Sequence, residues 1–234
     1  MKKNIKVSAL VALLFSIILS TNLSWSFQKE QPAAEPQSSQ SVAVADDTLK
    51  KLMTSNQHFV SGKITPCDMQ ARRAELVKGQ SPAAVVVTCS DSRVAPEYIF
   101  DQGIGDIFVI RVAGNVTDAI ALGSIEYAVE HLHTPLIIVM GHDKCGAVGA
   151  AVKGGELEGN IEAIVKKIAP AVERAKAAGK TGDELLSTAI IENAQGVAAS
   201  LTKDSGVIKH LVDEKKVKIV PAKYNLSTGK VDLL

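Results

Sequence analysis

The chain has 234 residues, of which 46% are hydrophobic and 22% are charged, and its formal net charge is +1. This charge balance argues against a nucleic-acid-binding protein, which needs a clustered excess of lysine and arginine. The apolar fraction excludes disorder over the whole length, and three cysteines are too few for a disulfide scaffold of this size. The composition therefore indicates a folded domain with a sizeable core.

The N-terminus has the three-part pattern of a secretory signal peptide over residues 1–26. Three lysines among the first six residues precede an apolar run over 7–19, and small residues follow, which predicts cleavage after Ser26. The run is too short to cross a ~30 Å hydrocarbon core comfortably, and an uncleaved membrane anchor is the alternative. We expect an exported protein, periplasmic or alternatively secreted, with no membrane attachment after cleavage.

The next segment, 27–45, is rich in Gln, Ser, Pro and Ala without periodicity, which predicts a flexible linker. The folded part then runs over 46–234, the length of a single domain. Asp47 or Thr48 is expected to cap its first helix, because apolar residues follow at helical spacing.

Strand and helix patterns alternate along this domain. Short runs rich in Val and Ile at 84–89, 106–112 and 136–142 predict strands buried on both faces. Helical periodicity separates the last two runs, and more helices precede a final strand and a turn into a terminal strand. The predicted fold is therefore α/β, a mainly parallel β-sheet flanked by helices, with a C-terminal strand pair. The helical patterns cover 117–132, 160–178, 184–203 and 205–214. The strand that precedes the turn and the terminal strand covers 217–224.

Two of the predicted strands end in residues that can bind metal. The first ends at Cys89, and the third ends at His142 with Cys145 close behind. Two sulfurs and an imidazole suit zinc better than magnesium or calcium. Each element alone is weak evidence, because a buried cysteine at a strand end is usually part of the core. Together, at the carboxyl ends of parallel strands, they favour a catalytic zinc site with a fourth position open for water.

Asp91 and Arg93 follow Cys89 closely and lie on the same side of an extended segment. They can form a carboxylate–guanidinium pair beside the metal. The alternative is an ordinary salt bridge within a loop.

The sequence resembles the β-class carbonic anhydrases over nearly the whole domain. The motifs that carry the resemblance are CSDSR at 89–93, RVAGN at 111–115, GSIEYAV at 123–129 and GHDKCGAV at 141–148. The resemblance implies one zinc ion per chain on Cys89, His142 and Cys145, with water or Asp91 as the fourth ligand. It also implies that Arg93 competes with the metal for the Asp91 carboxylate.

The same resemblance implies an activity, the reversible hydration of carbon dioxide to bicarbonate and a proton by a zinc-bound hydroxide. Asp91 and Arg93 are then the catalytic residues, and Gln80, Phe108, Tyr127 and Gly146 bind the substrate. Without the resemblance, Phe108 and Tyr127 would be assigned to the core and Gln80 to a loop. Part of the family's pocket comes from a partner subunit, so a homodimer or homotetramer is expected.

Two other functions stay open at this stage. One is a hydrolase of carbonyl sulfide or carbon disulfide on the same scaffold, and the other is an inactive, exported zinc-binding relative. The Asp91–Arg93 pair argues against the inactive relative, because a purely structural zinc site has no use for it.

Overall fold

The computed structural model describes residues 37–156 and 158–234. The predicted signal peptide, 1–26, and the first part of the predicted linker lie outside the described residues. No helix in the described part of the chain is both long and apolar enough to cross a membrane.

The first helix, α1 (Gln37–Val60), begins inside the segment predicted to be a linker. Ala45 is only 1% exposed and packs with Leu52 in the core. The prediction of a flexible linker is therefore wrong for residues 37–45, because Ala45 extends the apolar face of the helix toward the N-terminus. The capping prediction is wrong for the same reason, since Asp47 and Thr48 lie inside α1.

The later helices and strands follow the predicted order closely. Two short helices, at Met69–Leu76 and Pro96–Ile99, were not indicated by the sequence pattern. A 3-10 turn, Ala113–Asn115, follows the second strand, and a π-helical turn, Tyr127–His131, follows the helix that ends at Glu126. The elements are α2 (Met69–Leu76), β1 (Ala84–Thr88), α3 (Pro96–Ile99), β2 (Ile107–Arg111), α4 (Ala119–Glu126), β3 (Leu136–His142), α5 (Gly146–Lys153), α6 (Ile161–Ala177), α7 (Gly182–Asp204), α8 (Gly206–Asp213), β4 (Lys218–Tyr224) and β5 (Val231–Leu233).

The described strands form one five-stranded sheet in the order β2-β1-β3-β4-β5. The first four strands are parallel and β5 pairs antiparallel with β4, which confirms the predicted fold and its C-terminal strand pair. The chain leaves β1 for β2 on one side and returns to β3 on the other, so the strand order reverses at β1. In open sheets of this kind, ligand sites lie at the carboxyl ends of the strands at such a reversal.

Helices cover both faces of the sheet. Val86 and Ile138 point to the side covered by α1, whereas Val85 and Ile137 point to the side covered by α4, α7 and α8. This alternation is the period of a β-strand, and both faces are apolar because both are covered. A third apolar cluster, which contains Cys89 and Cys145, lies at the carboxyl ends of β1 and β3.

A buried asparagine on α1 joins the helix to the end of the chain. Asn56 is 0% exposed, and its amide nitrogen donates to the carbonyl oxygens of Ile99 and Gly229, each at 2.9 Å. Its side-chain oxygen accepts a hydrogen bond from the Val231 N–H at 3.0 Å. These bonds satisfy backbone groups that would otherwise be buried without partners.

Candidate active site

The parallel pairing of β1 and β3 brings three metal-binding side chains together. Cys89 directly follows β1, His142 is the last residue of β3, and Cys145 is the N-cap of α5. The two sulfurs are 3.9 Å apart, and the two sulfurs and a ring nitrogen of His142 all lie within 4.8 Å of one another. All three residues are buried.

His142 is oriented to present one ring nitrogen to this cluster. Its Nδ1 lies 2.9 Å from the carbonyl oxygen of Asp143, which can only accept, so Nδ1 carries the proton. Asp143 is itself fixed by an ion pair with Lys223 at 3.2 Å and by its N–H bond to the Tyr224 carbonyl. The other nitrogen, Nε2, is buried and has no hydrogen-bond partner among the described residues. A metal ion on Nε2 would satisfy it, and two sulfurs and an imidazole are ordinary zinc ligands.

The surroundings of the two sulfurs favour a single negative charge, located at Cys89. A hydrogen bond from the Cys145 thiol lowers the pKa of Cys89, and the Gly114 N–H donates to the Cys89 sulfur at 3.2 Å. The same shared proton, together with burial, raises the pKa of Cys145, although the backbone N–H groups of Val148 and Ala147 at the start of α5 oppose that shift. Zinc binding requires both thiols to lose their protons, so it will release protons here.

The predicted carboxylate–guanidinium pair lies beside this cluster. Arg93 Nε donates to Asp91 Oδ1 at 2.9 Å and its Nη2 donates to Oδ2 at 2.7 Å. These bonds hold the pKa of the Asp91 carboxyl well below its usual range. Asp91 Oδ2 is 3.8 Å from His142 Nε2, so an ionised oxygen lies next to the nitrogen that faces the metal site.

The structure also assigns a positioning role to Arg111 that the sequence pattern did not indicate. Its Nη2 donates to the Asp91 carbonyl oxygen at 2.7 Å and its Nε to the Cys89 carbonyl oxygen at 3.3 Å. Arg111 is paired with Thr88 in the β1–β2 register. Arg111 therefore holds the loop that carries the candidate ligand Cys89 and the Asp91 carboxylate. This contact becomes visible only when β2 is placed beside β1.

Of the expected substrate residues, only Gly146 directly adjoins the cluster, because Phe108 pairs with Val85, about 13 Å of strand before Cys89. The Phe108 and Tyr127 rings pack with their centroids 6.3 Å apart, and Tyr127 is 47% exposed. Assignment of Tyr127 to the core would therefore have been wrong. Gly146 is exposed and directly follows Cys145 as the first residue of α5.

Gln80 lies elsewhere, at the other end of the sheet. Two residues beyond it, the Pro82 carbonyl accepts a hydrogen bond from Thr134, which precedes β3. The Ala83 N–H bonds to the carbonyl of Asp106, which precedes β2. Gln80 is thus held near the amino ends of the strands, whereas Cys89 is separated from them by the five residues of β1, about 17 Å of strand.

Comparisons with known proteins agree with this geometry. The profile of a family described as carbonic anhydrase matches residues 84–231. Carbonic anhydrase 2 of Mycobacterium tuberculosis is 42% identical over 190 residues, which cover 79% of this chain and 90% of that protein. The solved structure of the β-carbonic anhydrase CcaA is 26% identical, with a TM-score of 0.64, and the match covers 79% of this chain and 94% of that one. The β-carbonic anhydrase CafA of Aspergillus fumigatus is 25% identical, with a TM-score of 0.65, and the match covers 84% of this chain and 90% of that one.

The cysteines provide a matched test of the metal ligands. We expect Cys145→Ala to lose tightly bound zinc, because it removes one of three protein ligands, whereas Cys67→Ala keeps it because Cys67 is exposed and outside the cluster. Metal analysis after dialysis measures both variants. Zinc retained by the Cys145 variant, or lost equally from the Cys67 variant, would contradict the assignment.

Proposed function

The chain belongs to the β-class carbonic anhydrase family, and we propose that it hydrates carbon dioxide reversibly with Asp91 and Arg93 as its catalytic pair. Zinc is the metal of this family, and Cys89, His142 and Cys145 would hold it. The observation that carries the proposal is the ion pair between Asp91 and Arg93 beside the unpartnered Nε2 of His142.

When bound there, zinc supplies Lewis acidity that lowers the pKa of water and provides a hydroxide nucleophile near neutral pH. The Asp91 carboxylate is ionised and can accept a hydrogen bond at Oδ2, so it orients the attacking hydroxyl group toward the carbon of carbon dioxide. Arg93 holds both carboxylate oxygens. A carboxylate held in this way would be kept from binding the metal, which would leave room for water beside the three protein ligands.

Gly146 and an aromatic pair supply the substrate pocket in this proposal. Phe108 pairs with Val85, about 13 Å of strand before Cys89, so the aromatic wall that it forms with Tyr127 would serve the site of a second copy of the chain, where it suits an apolar, linear substrate. Gly146 lies in the first turn of α5, where backbone N–H groups have no partner within the helix. Its N–H is available to bind an oxygen of bicarbonate.

Substitution of Asp91 tests this mechanism. We expect Asp91→Ala to lower kcat/KM for carbon dioxide hydration by about 100-fold or more, because the nucleophile loses its orienting acceptor. Bound zinc should remain near one per chain, because Asp91 is outside the group of three ligands. Stopped-flow hydration and metal analysis measure the two quantities.

The matched control is Asp213→Ala, which removes a carboxylate from an exposed pair with Lys209 on α8 and should leave hydration unchanged. An Asp91 variant with full activity would contradict the mechanism and favour a zinc-binding protein without catalysis. Activity of the unsubstituted chain on carbonyl sulfide but not on carbon dioxide would favour the sulfur-substrate alternative.

We also propose that the site is completed by a second copy of the chain. Gln80 is exposed and lies at the amino ends of the strands, so it cannot reach the Cys89 end of its own sheet. The neighbouring helix α2 has no buried residue in the single chain. A homodimer, or a homotetramer built from dimers, in which this segment crosses to the partner would let Gln80 bind bicarbonate in the partner's site.

Complementation tests this arrangement. Gln80→Ala and Asp91→Ala should each be nearly inactive alone. Co-expression should restore about a quarter of the native activity, because half of the dimers are mixed and each mixed dimer has one of two sites intact. Activity of the mixture equal to the sum of the separate variants would contradict a shared site.

Finally, we propose that the protein is exported to the periplasm, which the charged, apolar and small-residue order of residues 1–26 supports. Expression of the full chain in a Gram-negative host should give periplasmic protein that begins at Phe27. Cytosolic protein that keeps residues 1–26 would contradict export.

A further inference from the structure

We propose that Asn193, on α7, is a positioning residue for the metal site. It binds the carbonyl oxygen of Gly114 and thereby helps to hold the backbone angles at which the Gly114 N–H, on the other side of the same Cα, donates to the sulfur of Cys89. The inference rests on the zinc site of the proposed function but not on the reaction that the site catalyses. No sequence motif in this chain pointed to Asn193.

The turn that presents the Gly114 N–H has an unusual backbone. Gly114 has φ 67° and ψ 20°, and Asn115 follows with φ 46°, so two consecutive residues lie in the left-handed region. A Cβ at residue 114 would come within 2.6 Å of Ile168 Cδ1 and 3.2 Å of the Ala147 Cβ. Both the backbone angles and the limited space therefore favour glycine at this position.

Asn193 fixes the other side of the same residue. The side chain is 2% exposed, and its Nδ2 donates to the Gly114 carbonyl oxygen at 2.7 Å. That oxygen can only accept, so the group facing it must be the amide nitrogen of Asn193. The same nitrogen is 3.5 Å from the side-chain oxygen of Asn115. One buried amide thus contacts both left-handed residues of the turn.

The helix that carries Asn193 packs directly against the strand that carries His142. A Cβ at Gly141 would come within 3.3 Å of Ile190 Cγ2 and 3.5 Å of the Ala194 Cβ, so α7 touches the backbone next to the metal ligand. Asn193 therefore relates two parts of the metal site to each other. The packing of α7 on β3 places Asn193, and its amide holds the Gly114 carbonyl, one Cα away from the N–H that donates to Cys89.

This contact has an electronic consequence. A hydrogen bond to a metal-bound sulfur withdraws electron density from that sulfur. Groups that orient metal ligands in this way typically change metal affinity by about 10- to 100-fold when they are removed. Without Asn193 the Gly114 carbonyl loses its partner, the backbone angles of Gly114 are no longer held, and the Cys89 sulfur loses its backbone donor.

The absorption spectrum of the cobalt-substituted protein tests this role, because the loss of a merely structural contact would not shift the sulfur-to-cobalt band. Asn193→Leu removes the amide, and Asn193→Asp keeps its shape but places an acceptor against the Gly114 carbonyl. We expect the sulfur-to-cobalt charge-transfer band of both Co(II)-loaded variants to lie at longer wavelength than in the unsubstituted protein. We also expect zinc to dissociate about 10-fold faster or more, measured with a chromogenic chelator.

The matched control is Asn56→Leu, which removes another buried asparagine that bonds to backbone carbonyls but lies on α1, on the opposite face of the sheet from α7, and contacts none of the three candidate ligands. It should lower the melting temperature without moving the cobalt band or the rate of zinc release. An unmoved band in the Asn193 variants, or an equal shift in the Asn56 variant, would overturn the proposal.

A measurement on the unsubstituted chain serves where the variants do not fold. In the protein loaded with cadmium-113, the Gly114 amide should show scalar coupling to the metal through the Cys89 sulfur, and the Asn193 amide protons should be protected from exchange. Absence of either signal would overturn the role of Asn193. If the chain bound neither cobalt nor cadmium, both the proposed zinc site and the role of Asn193 would be overturned.

Discussion

The parallel pairing of β1 with β3 is the constraint on which the site depends. Cys89 and Cys145 are 56 positions apart in the chain, and the aligned carboxyl ends of the two strands bring their sulfurs to 3.9 Å. The two faces of these strands pack into different cores, so a shift of one residue would move every side chain into the wrong core. The hydrophobic core thus sets the spacing of the metal ligands.

Several groups that are negatively charged or become so on metal binding lie close together in this buried site, and the surrounding residues oppose their charge. Two sulfurs that zinc binding would ionise lie beside the carboxylate of Asp91, and their mutual repulsion would be costly without opposing charge. Arg93 pairs with the carboxylate, and backbone N–H groups from Gly114 and the start of α5 face the sulfurs. A divalent cation would neutralise the rest, which makes metal binding and the folding of this region linked equilibria.

The sequence predicted the features that depend on local pattern. Runs of Val and Ile predicted β1, β2 and β3, and the positions of Cys89 and His142 at strand ends predicted that they would meet. Helix α2 could not be found in this way, because it buries no residue in the single chain and so has no apolar periodicity. The early start of α1 was missed because alanine and glutamine are common in linkers as well as in helices.

The contacts that tune the site depend on tertiary structure, and no local pattern could reveal them. Asn193 lies 79 positions from Gly114, and in the sequence it is one polar residue in a long helix. Arg111 is seen to hold the Cys89 loop only once β2 is placed beside β1. The location of Gln80 likewise follows from the hydrogen bonds of Pro82 and Ala83, which belong to the sheet and not to the motif.

We expect this arrangement of residues to work as a carbon dioxide hydratase. The most direct test is stopped-flow hydration with a pH indicator on the purified chain, with its zinc content determined on the same sample. We expect kcat/KM above about 10⁴ M⁻¹s⁻¹ at close to one zinc per chain. A chain with full zinc content and no hydration above the buffer rate would contradict it.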